Sequence, residues 1–181
     1  EYKLHCRKKG SLESEEEIFI DENEMAVGHD YFSLGGIEIS DDNKIAVFGI
    51  DTVSRRIYTL YFKNLETGEL YSETISGCSG GGAWAEDNKT FFYISKDLET
   101  LRTNRILRHE LGTEVAADVQ IFKEEDETFT CYAWKTKSKD LIMIGSFQTV
   151  SSEFQMLDAG NPTGDFTMIQ ARERDHEYSV S

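Results

Sequence analysis

Apolar and aromatic residues along this chain come in short runs broken by polar turns, a spacing that suits strands and is too tight for long helices. The clearest set is GGIEIS, KIAVFGI, RIYTLYFKN and GELYSETI, between residues 35 and 75. Its Ile, Val, Tyr and Phe fit a pleated, half-buried surface. A second set reads GGAWAE, TFFYISKD, TNRILRHEL and VAADVQIFKE, and a third TFTCYAWKT, LIMIGSF, EFQMLDA and FTMIQAR. Between strands, Asp42-Asn43 and Asp87-Asn88 suit tight turns, and Gly68 in LETGE stands where a positive φ is cheap. The single proline, Pro162, falls in the turn AGNPTGD and leaves the ladders intact. Ahead of the first set, the pattern predicts a strand EYKLHCRKK, an acidic turn, a strand EEIFID and a short helical or loop segment ENEMAVGHDY.

The sets repeat. SDDNKIAVFGID at 40 to 51 returns as AEDNKTFFYISKD at 85 to 97 and, more loosely, as KTKSKDLIMIGS at 135 to 146. Aligning Lys44, Lys89 and Lys139 gives a period of about 45 to 50 residues, that of one blade of a β-propeller. The expectation is an all-β chain, a partial β-propeller of about three four-stranded antiparallel blades plus part of another. Residues 1–33 are then a partial blade and connection, 34–79 one blade, 80–127 the next, and 128–181 a third with the start of its successor. Such a stack cannot close a ring, since propellers run from roughly four to eight blades. Its open edges imply either a fragment of a larger propeller, the favoured reading, or self-association through those edges.

Charge narrows the partners. With 34 acidic and 19 basic residues the formal net charge is -15, which repels phosphate backbones and anionic lipids and argues against a nucleic-acid or membrane role. No apolar run reaches the roughly 18 residues of a membrane span. The first twenty residues are charged where a signal peptide needs an apolar centre, and the opening Glu1 implies a missing upstream segment. Cys6, Cys78 and Cys131 are odd in number and lack C-x-x-C spacing, against a disulfide framework or a cysteine-rich zinc site. A cytoplasmic location follows as the expectation, with the periplasm left open. His5, His29, His109 and His176 are scattered and read as packed or solvated side chains; neither a cofactor nor a metal is expected.

One motif raises the question of catalysis. Gly77-Cys78-Ser79-Gly80-Gly81 matches G-x-S-x-G, which presents the nucleophile of many serine hydrolases. That turn needs a buried strand before the serine and a helix after it. Ser79 instead lies between NLETGELYSETI and GGGAWAEDNKTFFY, and each of Gly80 to Gly82 disfavours a helix by about 1 kcal/mol relative to Ala. The histidines that follow, His109 and His176, belong to other blades. Ser79 is therefore read as part of a flexible inter-blade connection, and Cys78 as an accessible thiol in a glycine-rich loop with no role.

Other candidates carry equally plain readings. DENEM at 21 to 25 begins like a calcium loop, but Ala26 and Phe32 stand where that loop needs Gly and Glu, leaving a solvated acidic turn. NKT at 88 to 90 fits the glycosylation sequon, which carries little weight alone. Arg55-Arg56 and the run Glu13 to Glu17 read as exposed loop charges, and Trp84 and Trp134 as packing between blades. RERDHEY at 172 to 178 is a cluster of charges.

EEIFIDENEMAVGHDYFSLGGIEISDDNKIAVFGIDTVSRRIYTLYFKNLETGE, WAEDNKTFFYISKD, RILRHELGT and ARERDHEYSV closely resemble the N-terminal propeller of the oligopeptidase B, or protease II, branch of the prolyl oligopeptidase family of serine peptidases. The likeness runs in order over essentially the whole chain. It implies a seven-bladed propeller that caps an α/β-hydrolase domain and limits entry to short peptides, with cleavage after Arg or Lys. It also implies that the Ser-Asp-His triad lies downstream, so this segment holds no catalytic residue and is inactive alone. Its partners are then the missing catalytic domain and short basic peptides, and part of RERDHEY is expected to face the central channel and an entering cationic peptide. The alternative is a free-standing propeller-like module that binds a protein or peptide without chemistry.

Overall fold

The computed structural model describes residues 1–180. Strands β1 (Leu4–Lys8) and β2 (Glu16–Asp21) form an antiparallel pair, followed by one helical turn, α1 (Glu22–Met25). Next come β3 (Ser33–Ile39), β4 (Ile45–Asp51), β5 (Tyr58–Asn64), β6 (Leu70–Trp84), β7 (Thr90–Lys96), β8 (Thr103–Glu110) and β9 (Val119–Lys123), joined in chain order as one antiparallel sheet. A separate four-stranded sheet holds β10 (Thr130–Lys135), β11 (Leu141–Gln148), β12 (Ser151–Asp158) and β13 (Thr167–Gln170).

The long strand β6 makes the first sheet continuous. Its early residues pair with β5, Ile75 opposite Leu60, and its late residues with β7, Trp84 opposite Phe91. Cys78 faces Tyr58 on one side and Ser95 on the other. One strand thus closes the first four-stranded unit and opens the second, and β10 to β13 make a third. The arrangement is a partial β-propeller.

Two cores lie between the units, and the alternation of strand side chains divides residues between them. In β7, Phe91 and Tyr93 join Val47, Leu60, Phe62, Ile75 and Trp84 between the first and second units. Phe92 and Ile94 point the other way, to Ile106, Cys131, Ile142, Ile144 and Leu157 between the second and third. Both faces of β7 are covered, so it reads as an unbroken apolar run. Each fully buried Phe contributes about 1.5–3 kcal/mol relative to exposure. Trp84 packs as expected, its ring 5.0 Å from Phe91 and its Nε1 donating to the Glu38 carbonyl at 3.2 Å. Trp134 lies on the face of β10 opposite Cys131 and Ala133, against Phe147 and Phe154.

Several local expectations are corrected. The left-handed turn position is held by Asn43, Asn88 and then Lys139, so the third repeat slips by one residue and Asp140 matches Lys44 and Lys89. VAADVQIFKE opens as a 3₁₀ turn, Val115–Ala117, because Asp118 is drawn in to bond His109 and Tyr93 and only Val119 onward pairs with β8. β13 ends at Gln170, since Arg172 turns inward to Glu124 and Glu153. In DENEM, Asp21 caps α1 by accepting from the Asn23 and Glu24 amides, and Glu22 is buried beside His5 at 2.7 Å rather than solvated. Glu16 and Glu17 belong to β2, with Glu17 paired to Arg7 at 3.0 Å.

Candidate functional site

Ser79 lies inside β6, where the pairing with β7 breaks register between Cys78 and Gly82, and the flexible loop expected here is absent. The glycines have a different purpose. β6 passes across the first unit so closely that a Cβ on Gly49 would stand 2.6 Å from the Gly80 Cα, and one on Gly36 would stand 2.8 Å from the Gly80 oxygen. Gly80 itself takes φ +93 against the Tyr58 ring. The G-x-S-x-G match is therefore a strand crossing in which backbone lies on backbone. After Ser79 the chain continues in strand to Trp84 and then, beyond one turn, into β7. None of the hydrogen bonds among the described residues joins Ser79 to an imidazole.

Cys78 is fully buried, and its thiol is pushed up to about 12, first by burial and then by the negative charge of Asp118. It is not the accessible thiol its glycine neighbours suggest, because its side chain packs into the core between the first and second units. Cys131 is likewise buried and raised to about 12, by burial and then by the charge of Glu124. Cys6 is only half-buried.

His109 is a functional-looking group that scattered histidines in the sequence give no reason to pick. It is wholly buried, its Nδ1 lies 2.7 Å from Asp118, and its ring sits 5.7 Å from that of Phe62. Tyr93 donates its hydroxyl to the same Asp118 carboxylate at 2.9 Å. Burial and that hydrogen bond raise the Tyr93 pKa well above the ordinary phenol value. The network pins the 3₁₀ turn and β8 to β7, and Asp118 is spaced too far along the chain from either partner for a local pattern to reveal it.

RERDHEY splits in the structure. Arg172 binds Glu124 at 2.7 Å and Glu153 at 3.2 Å while its guanidinium lies 4.0 Å over Phe129. Tyr178 donates to the Gln170 carbonyl at 2.6 Å and accepts from the Phe154 amide at 3.0 Å, holding the terminal segment along β12. Glu173, Arg174, Asp175 and Glu177 remain exposed. Asn88 of the sequon is engaged too, accepting from the Asp42 amide at 3.0 Å and donating to the Glu86 carbonyl at 2.9 Å.

A cleft of about 620 Å³ opens on the surface beside the crossing, where the β4–β5 and β7–β8 loops meet β10. Ser79, Arg56, Lys96, Arg102 and the rings of Tyr58 and Tyr132 face it.

The model of a protein family described as prolyl oligopeptidase, N-terminal β-propeller domain, matches residues 1–181. The chain is 39% identical over 165 residues to dipeptidyl aminopeptidase BI of Pseudoxanthomonas mexicana, across 91% of this chain and 23% of that protein. To Protease 2 of Moraxella lacunata it is 29% identical over 187 residues, across 99% and 27%. The solved structure of oligopeptidase B from Leishmania major matches with a TM-score of 0.88 at 26% identity, over 99% of this chain and 26% of that one. The chain spans about a quarter of the length of each of these relatives. From its strand order, its paired cores and this end-to-end match, the chain belongs to the N-terminal β-propeller domain family of the prolyl oligopeptidases.

Proposed function

We propose that this chain is a non-catalytic propeller segment of a serine oligopeptidase that hydrolyses short peptides after Arg or Lys. In this reading the propeller admits substrate by size and covers the active site, and an α/β-hydrolase domain outside this chain performs the reaction. There a serine attacks the scissile carbonyl, a histidine held by an aspartate takes its proton, and backbone donors stabilise the oxyanion. The observation that carries the reading is Ser79 itself: the one serine with a nucleophile motif is locked in a strand crossing and followed by a strand. The net charge of -15 supports cationic substrates, since such a field raises their local concentration.

A second reading of the reaction rests on the relative at 39% identity, named a dipeptidyl aminopeptidase. It makes the substrate a peptide with a free N-terminus, from which dipeptides are released. Assaying the full-length protein on N-terminally blocked peptides with an internal Arg or Lys, and on their unblocked counterparts, separates the two. The isolated 181-residue chain is expected to be inactive on both, and Ser79→Ala in the full-length protein to leave turnover unchanged. Loss of turnover in a folded Ser79→Ala protein overturns the proposal.

A further inference from the structure

Three cations converge on the cleft beside the β6 crossing, in a chain whose acidic residues outnumber its basic ones by 34 to 19. Arg56 stands on the β4–β5 loop, Lys96 ends β7, and Arg102 leads into β8. Arg102 is fixed by donating to the Asp126 carbonyl at 2.7 Å and the Phe129 carbonyl at 2.8 Å, and Lys96 donates to the Arg56 carbonyl at 2.6 Å. Those partners are neutral. Among the described residues none of the three cations is ion-paired. The nearby carboxylates are hydrogen-bonded to the backbone, Asp51 accepting from the Val53 and Arg56 amides and Asp97 from those of Glu99 and Thr100, and they act on the cations only through their charge, Asp51 on Lys96 and Asp97 with Arg102. Burial first and then the like charge of Arg56 lower the Lys96 pKa, outweighing the opposite charge of Asp51.

The cleft also holds an unmet polar group. Thr103 forms part of the wall, is only 5% exposed, and its Oγ1 has no hydrogen-bond partner. A buried hydroxyl left unpaired is costly, and a ligand oxygen relieves it. We propose that this cleft is a binding site for a carboxylate carried on a short organic body, such as the C-terminus of a peptide. The carboxylate balances the three cations and meets Thr103, while the body lies against the Tyr58 and Tyr132 rings, which a bare inorganic anion leaves uncovered. The choice of a peptide as that body rests on the peptidase reading above; the carboxylate chemistry stands on the cleft alone.

Calorimetric titration of the chain with glycyl-phenylalanine, its C-terminal amide and inorganic phosphate tests this. Saturable binding of the free acid is expected, with the amide and phosphate each weaker by about tenfold or more, the worth of one charge-assisted contact. Arg56→Gln and Lys96→Gln should each weaken the acid by a similar factor. Thr103→Val provides a variant that removes the unmet hydroxyl without removing charge: it should melt no lower than the parent and yet bind the acid less tightly. No binding, equal binding of acid and amide, phosphate as tight as the acid, or unchanged affinity in all three variants overturns the proposal. The titration reads the cleft alone, while the peptidase reading is decided by turnover of the full-length protein, so the two can fail separately.

Discussion

Arg172 stands in a run of charges that reads as solvent-facing, yet it binds two carboxylates and covers an aromatic ring. Its partners lie 48 and 19 residues away, so the sequence shows the charge without showing what it meets. Glu124, only 3% exposed, depends on it. Burial pushes the Glu124 carboxyl up, but hydrogen bonds from Arg172, Ser146 and the Asp126 amide together outweigh this and leave it below the usual carboxylate range. A lowered folded pKa means that the unfolded chain takes up the proton first. The increment is therefore fully present above the unfolded value of about 4.3 and is lost as pH falls through the folded one. Arg172→Met keeps most of the stem and strands the buried carboxylate, so it should cost about 3 kcal/mol near neutral pH by urea denaturation. The gap between variant and parent should shrink as pH falls, because buried Glu124 without Arg172 takes up its proton at a higher pH than in the parent, and it should be smallest once Glu124 is protonated in both. A gap that stays constant from pH 7 to pH 3 would mean that packing on Phe129, rather than the ion pair, holds the segment.

The strands themselves were legible because period-two alternation and the Asp-Asn turns are local signals, and β3 to β5, β7 and β11 fall where that pattern puts them. The β6 crossing was not legible. Its cause is the approach of Gly35, Gly36 and Gly49 to Gly80, and the sequence shows glycines without showing which are neighbours. The one-residue slip of the third repeat has a similar origin: Lys139 takes the left-handed position that Asn43 and Asn88 hold, so matching lysine to lysine misplaces it. The crossing makes a sharp prediction. In Gly49→Ala the new methyl meets the Gly80 backbone, which cannot swing aside as a side chain does, and a loss of about 1–3 kcal/mol is expected. Gly81→Ala, one residue beyond Gly80, meets nothing within 4 Å and needs no left-handed φ, so its effect should stay within about 0.5 kcal/mol. Chemical denaturation of both proteins gives the comparison. Equal effects would mean that the run is a loop after all, as its composition suggests.

The same crossing decides how the units are coupled. The first two share β6, and neither can open without breaking a strand that belongs to the other. The third has its own sheet and is joined to the second by an apolar core, by the Glu86 amide and the Arg108 guanidinium donating to the Ala159 and Pro162 carbonyls, by Ser146 donating to Glu124, and by the grip of Arg172 on Glu124 and Glu153. Its outer strand, β13, is only four residues long and exposed throughout. In a stack of units whose stability is a sum of intrinsic and neighbour terms, the unit with the weaker junction opens first. Native-state hydrogen exchange should therefore find amides of β11 and β12 opening about 1–2 kcal/mol below those of β4, β5 and β7. Arg172→Met should widen that difference, because it weakens the junction and leaves β6 untouched. A single opening free energy shared by β7 and β11, unmoved by the substitution, would show that the apolar core alone couples the units as tightly as a shared strand.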